Sequence, residues 1–456
     1  MATCLVAAAA QAATGVRAEA AAGLGPEGGQ RALVVFDHEV GRGTLDRLAA
    51  AGVTRARVFD SIDTVATFAP APSAYATISA WSDVVAVEDD TPLRYANNVA
   101  KRDTRVTGVR SGEAPLSAPY TGKGVTVAVV DSGVDTSHPD LRDRVLANVD
   151  YEHAPVLDPI TDGAYSEAAA ERPVSTDEFG HGTHVAGIVA GTGAVAQGAD
   201  MSGVAPEAAL VNCKMGFGDA LESTELACFE WILEHRDDPR FPGGIRVVTS
   251  SWGADATASA GLPLRALVRE MTKAGIVMVF AAGNDGPAQK GSSTVLRYPN
   301  SMEAVITVGA TCKSEEYMPF NCSGPLAVAA FSSQGKEVDV VAPGSDIWST
   351  KSAVSVLGTR NALVQAQGNP VPGATVADQT ANRAFYITLG GTSMSTPHVA
   401  GIVALMLEAN PGLRPAEVES ILTETARDLG PRGFDTGYGH GLADALRATR
   451  AAESRR

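Results

Sequence analysis

Val125-Thr-Val-Ala-Val-Val130-Asp131-Ser-Gly133 is an unbroken apolar run that stops on a carboxylate and a glycine. A strand with one face in water alternates apolar and polar residues; this one does not, so both of its faces must be covered. Runs of the same kind recur downstream with helical stretches between them: Ala209–Cys213, Val247-Val248, Ile276–Ala281, Val305–Val308 and Val338–Val341. The pattern predicts an α/β fold, a doubly wound and mostly parallel sheet with helices on both faces. Ligands of such sheets bind beyond the carboxyl ends of the strands, where Asp131 falls. Taken alone, the Asp-Ser-Gly tripeptide reads as an Asx turn.

Two further segments sit where an element begins or ends. Gly180-His-Gly-Thr-His-Val-Ala-Gly187 opens a helical pattern, and its glycines leave the His181 imidazole room to be approached. The pair His181 and His184 lacks a third ligand at metal-site spacing. Gly390-Gly-Thr-Ser-Met-Ser-Thr-Pro-His-Val-Ala-Gly401 precedes the apolar Ile402–Leu407 and puts Ser393 at the start of a long buried helix. Backbone N–H groups and the helix dipole favour negative charge there. An acid, a histidine and a serine at Gly-flanked element ends are what a nucleophile, its general base and an orienting group require. An α/β-hydrolase would run Ser, acid, His with a G-x-S-x-G elbow, whereas here Ser393 comes last.

These three segments resemble the motifs of the subtilisin-like serine proteases, the subtilases, over roughly Thr121 to Arg447. The resemblance implies that Asp131 orients the imidazolium, His181 is the general base and then acid, and Ser393 is the nucleophile. His184 and His398 fall at positions with packing or hydrogen-bonding roles. Phe280-Ala-Ala-Gly-Asn284 resembles the segment that supplies an oxyanion-hole asparagine, here Asn284. Ser250-Ser251-Trp252-Gly253 resembles the segment that pairs with the substrate backbone and lines the first specificity pocket. Trp252 stands where the family commonly has Leu, which puts the usual size preference in doubt. Arg297, where the pocket floor commonly has Gly, reads as a solvated surface charge, with selection of an acidic P1 side chain as the alternative. No cofactor is implied for catalysis. Asp140 matches a carboxylate that ligates a structural calcium, but the loop Gly191–Asp200 carries one acid and no Asn, so oxygen ligands are few.

The rest of the chain is consistent with a secreted enzyme made as a precursor. It has 456 residues, 45% of them hydrophobic and 19% charged, enough for a large core. The formal charge of −16 repels phosphate backbones, so a nucleic-acid partner is excluded. No apolar run reaches the ~18 residues of a membrane span, and the short stretch after Arg447 leaves no room for an anchor. Residues 1–25 read as a signal or Ala-rich leader, without a basic n-region because the first positive side chain is Arg17. Residues 30–96 follow a β-α-β-β-α-β order, a small ferredoxin-like α+β module that resembles the inhibitory propeptide of many subtilases. Residues 97–118 are expected to be a linker holding the self-cleavage region, and 119–450 the catalytic domain. Tyr151–Asp177 and Ser352–Arg383 read as surface insertions. Cys312 and Cys322 are expected to pair in an oxidising compartment, while Cys213 and Cys228 could pair or Cys213 could stay a buried thiol.

The expected product is a secreted, monomeric serine endopeptidase acting on peptide substrates and partnered by its own front module. A catalytically silent peptide-binding pseudoprotease is the alternative, against which the intact Asp131, His181, Ser393 and Asn284 argue.

Overall fold

Strands that are apolar on both faces need a helical layer on each side, and that requirement organises the fold. The computed structural model describes residues 30–59, 63–89, 96–152, 171–216, 222–255, 262–287, 294, 297–314, 322–357 and 376–456. The leader expected at 1–25 lies outside them, as does most of both insertions. The chain divides into two units, ending and beginning at Leu93 and Arg94.

The first unit runs β1 (Gln30–Phe36), α1 (Arg42–Ala50), β2 (Arg55–Phe59), β3 (Thr64–Ala69), α2 (Ser73–Ile78) and β4 (Val84–Asp89). Its sheet is antiparallel in the order β2-β3-β1-β4. Ala32, Val34 and Phe36 alternate along β1 onto the face that packs on Leu48, Val65, Tyr75 and Ile78. The order and topology are those expected for a ferredoxin-like module.

The second unit begins with α3 (Ala96–Asp103) and α4 (Val106–Ser111), then β5 (Thr126–Asp131), β6 (Val145–Asp150), β7 (Glu171–Arg172), α5 (His181–Ala190), β8 (Ala209–Lys214) and α6 (Glu222–Glu234). There follow β9 (Ile245–Ser250), β10 (Ala254–Asp255), α7 (Leu262–Lys273), β11 (Val277–Ala281), β12 (Arg297–Tyr298), β13 (Ile306–Thr311), β14 (Val340–Pro343) and β15 (Ile347–Thr350). The chain closes with α8 (Val376–Phe385), β16 (Tyr386–Leu389), α9 (Thr392–Ala409), α10 (Pro415–Thr425) and α11 (Ala445–Ser454). The main sheet has the order β14-β13-β11-β9-β5-β8-β6-β7, and every pairing in it is parallel except β6 with β7. Along β5, Val127 and Val129 face one core with α5, α9 and α11, while Ala128 and Val130 face the other with α6 and α7. Each such buried valine contributes on the order of 1.5–3 kcal/mol relative to an exposed one.

The expected linker is instead two helices that belong to the second unit. Val99, Ala100, Val106 and Val109 are buried, and Lys101 is fully buried with its ammonium on Asp200 at 2.6 Å and on Ser202 O at 2.9 Å. Asp103 accepts from Ser314 N, and Arg105 pairs with Asp444 at 2.8 Å. Polar residues that look solvated in sequence are thus buried here by partners far along the chain. Cys213 on β8 is bonded to Cys228 on α6 rather than left as a thiol, and Cys312 is bonded to Cys322.

Gly401, in the middle of α9, allows a close approach: a Cβ there would lie 2.5 Å from Val204 Cβ. Gly401→Ala is therefore expected to destabilise the second unit by about 1–3 kcal/mol, as overpacking of a tight contact does. Thermal unfolding of the two proteins side by side checks this, with a lowered midpoint as the expected result.

Candidate active site

Near the carboxyl ends of β5, β9 and β11 stand two sets of contacts, Asp131 with His181, and Ser393 and Thr392 with Ser251 and Asn284. Asp131 ends β5 and is buried; its Oδ1 accepts from Ser132 N at 2.7 Å and from His181 Nδ1 at 2.8 Å. An ionised carboxylate can only accept, so the imidazole proton lies on Nδ1 and Nε2 keeps its lone pair. Burial by itself would depress the His181 pKa. The charge and hydrogen bond of Asp131, with the charge of Asp177, hold it above the ordinary histidine value.

His181 stands at the first position of α5, entered through Gly180 with φ 98°. A Cβ at Gly180 would lie 2.5 Å from Ser355 Cβ, so this sharp entry requires glycine. Asp177 fastens the entry. Its carboxylate accepts from Gly180 N (2.7 Å), Thr183 N (2.8 Å), Thr183 Oγ1 (2.7 Å) and Ser132 Oγ (2.9 Å). Ser132 Oγ in turn accepts from Gly182 N at 3.0 Å. One buried acid therefore ties the loop that carries Asp131 to the helix that carries His181. Nothing in the sequence distinguishes Asp177 from a surface acid except its place just ahead of the Gly-His-Gly segment.

Ser393 is the second residue of α9, which is buried along its length except at Glu408. Pro397 lies inside this helix and has no N–H, so the Ser393 carbonyl loses its usual i+4 donor. Ser251 Oγ takes that place at 2.9 Å, while Ser393 Oγ donates to Ser251 O at 3.1 Å. Asn284 follows β11. Its Oδ1 accepts from Thr392 N at 2.9 Å and Thr392 Oγ1 at 3.1 Å, which fixes the amide so that Nδ2 is the end left to donate.

Beside Ser393 lies a cavity of about 240 Å³ lined by Ser251, Trp252, Gly253, Asn284 and Asn300 among others. Trp252 Nε1 donates to Val130 O at 2.9 Å, and the indole stacks on Phe229 and meets Phe280 edge-on. The bulky ring is therefore anchored to the second core as well as lining the cavity. Arg297 pairs through its backbone with Asp255, and its side chain lies outside the described residues. Asn300 escaped the sequence reading, since an Asn after Tyr-Pro looks like an ordinary turn residue.

The other singled-out residues lie away from this cluster. His184 Nε2 reaches Ile347 O and Ile387 O at 3.0 and 3.1 Å, and His398 Nε2 meets Thr104 Oγ1 at 2.7 Å. Burial pushes both histidines down to about 3, so each is a neutral hydrogen-bonding residue. Asp140 Oδ1 accepts from Thr192 Oγ1 (3.0 Å) and Val195 N (3.3 Å), and Oδ2 from Tyr386 OH (2.5 Å). Asp140 is thus engaged by hydrogen-bond donors, and among the described residues no group of three or more His, Cys, Asp or Glu that could hold a metal ion is present.

The sequence profile described as the Subtilase family matches residues 122–441. The chain belongs to the subtilase family. It is 34% identical to serine protease AprX of Bacillus subtilis over 72% of this chain and 66% of AprX, just under two thirds of that relative's length. It is 32% identical to subtilisin E of the same species over 79% of this chain and 74% of the relative. A structural neighbour is fervidolysin of Fervidobacterium pennivorans, described as a keratinolytic enzyme related to subtilisin. The likeness has a TM-score of 0.54 at 24% identity, covering 92% of this chain and 61% of that one, and supports the fold alone. Subtilisins are serine endopeptidases, and subtilases as a family need no cofactor for catalysis.

The clamp on His181 yields a titration. In Ser393→Ala protein, the His181 imidazole is expected to titrate above the unperturbed value of about 6.5. Adding Asp177→Asn is expected to lower that midpoint, because a negative charge that favours the imidazolium is lost. NMR titration of the His181 ring reads both values.

Proposed function

We propose that this subtilase is a secreted serine endopeptidase that works through an acyl-enzyme and is made as an autoinhibited precursor. The observations that support the reading are the Asp131–His181 hydrogen bond at the end of β5, Ser393 at the start of a buried helix, and a cavity lined by Ser393 and Asn284. In the proposed first step Ser393 Oγ attacks the scissile carbonyl carbon and its proton passes to His181 Nε2. The tetrahedral oxyanion accepts from Asn284 Nδ2 and from the backbone N–H of Ser393. Collapse of this intermediate breaks the C–N bond, and His181 returns the proton to the leaving amine. A water molecule then repeats the sequence on the ester, releasing the acid and Ser393. Asp131 stays ionised throughout and stabilises the imidazolium. The segment Ser251–Gly253 lines this cavity and resembles the family segment that pairs with an extended peptide, which supports peptide substrates over small esters.

Secretion is supported by the Ala-rich leader and by two disulfides, which persist in oxidising compartments. The precursor reading rests on the folded front unit. Because Val99, Ala100 and Lys101 are buried within the second unit, processing is assigned to residues 90–95, upstream of the 96–105 stretch. A cut within α3 would sacrifice its packing.

Two measurements test the reading. Intact mass of the wild-type protein and of Ser393→Ala should show the front unit lost from the wild type alone, with a new N-terminus between residues 90 and 96. A wild type that stays full length and inert although folded would instead favour a silent peptide-binding protein. Asn284→Ala should lower kcat by about 10²–10³ with little change in KM, the loss found when this donor is removed from a subtilisin; steady-state kinetics on a peptide substrate reads it.

A further inference from the structure

Both peptide units that flank Asp131 are held from outside β5, and one of the holders is a side chain that the proposed mechanism does not use. The Asp131–Ser132 unit is gripped through Asp131 O, which accepts from Met215 N at 3.0 Å. The Val130–Asp131 unit is gripped through Val130 O, which accepts from Trp252 Nε1 at 2.9 Å. The paired register of β5 with β9 ends at Val130 and Ser250. The indole bond therefore spans the point where the two strands part, one toward Asp131 and the other toward Ser251. Leu, which the family commonly has at this position, carries no side-chain donor.

The surroundings of Trp252 fix where its N–H points. Phe229 of α6 stacks on the indole with ring centres 6.0 Å apart, and Phe280 meets it edge-on at 5.6 Å. The Trp252 carbonyl is held as well, because it accepts from Asn300 Nδ2 at 2.9 Å, and the same amide donates to Ala281 O. A ring packed on two sides and anchored at its backbone keeps little rotational freedom. The residue before Phe229 is Cys228, bonded to Cys213 two positions ahead of Met215, so α6 braces both holders of Asp131. Trp252 also adjoins Ser251, which exchanges hydrogen bonds with Ser393.

We infer that Trp252 is a positioning residue, its indole N–H fixing the Val130–Asp131 peptide unit and thereby holding the Asp131 carboxylate against His181. The inference rests on the reading of Asp131, His181 and Ser393 as the relay. Asp131 acts on the imidazole and not on the peptide, so a displaced carboxylate costs turnover rather than binding.

The test is Trp252→Phe, which keeps an aromatic ring against Phe229 and removes the donor. Steady-state kinetics use a peptide with P1 Ala, too small to press on the cavity wall. There kcat is expected to fall about tenfold while KM stays within about twofold. In the Ser393→Ala background, the NMR midpoint of the His181 ring is expected to fall toward the unperturbed value of about 6.5, since a misplaced carboxylate favours the imidazolium less. A side chain that only lines the cavity or fills the core would not move that midpoint. An unchanged kcat, a loss carried by KM, or an unmoved midpoint would overturn the proposal. Should Trp252→Phe fail to fold, Phe229→Leu keeps the N–H but removes the ring that orients it; both quantities should then shift in the same direction, with kcat down by about threefold, and no shift overturns the proposal. Wild-type enzyme that is folded but inert would overturn the Ser393 reading instead. The titration needs no turnover, so it decides the role of Trp252 separately.

Discussion

A helix with no face toward water fixes the geometry of the site. Apart from Glu408, every residue of Thr392–Ala409 is buried, packed among β9, β11, β13, α5 and α11. A helix apolar on all sides is stable only inside such a shell, so its direction and register are set by the whole sheet. Ser393 is consequently placed by the core itself, and its neighbours must satisfy whatever polar groups the buried helix end leaves over. Thr392 Oγ1 accepts from Gly283 N and its backbone N–H serves Asn284. The orphan groups of a buried helix start become the means by which the next loop is located.

The same economy of polar groups holds the other half of the site. Asp177 collects four donors from two segments. Burial raises its pKa while those donors favour its ionised form. A carboxylate taken out of water is tolerated only when so fully bonded, and the bonding is what makes it a clamp. His181 and Asp131 are therefore held by second partners on both sides of their mutual hydrogen bond.

The parts of the fold that were legible in the sequence are those governed by local pattern. The run Val125–Val130 reads as a two-faced strand because no charged residue interrupts it and polar residues do not alternate along it, and the front unit's strands and helices follow from periodicity over a few residues. Asp131, His181, Ser393 and Asn284 were legible because each sits in a Gly-marked segment at an element end. The illegible parts depend on partners distant in sequence. Lys101, Asp103 and Thr104 look solvated until Asp200, Ser314 and His398 come to meet them. Cys213 reads equally well as a buried thiol until α6 lays Cys228 against β8. Asn300 and Asp177 carry no local mark at all, since their roles are defined by carbonyls and amides from other elements.

The reciprocal pair Ser251 and Ser393 has a consequence for how such an enzyme can be altered. Ser251 lines the cavity and, through its hydroxyl, replaces the donor that Pro397 withholds from the Ser393 carbonyl. The wall of the cavity and the backbone that carries Ser393, the proposed nucleophile, are thus one mechanical unit. Substitutions that reshape the wall will perturb turnover as well as selectivity, so the two properties cannot drift independently.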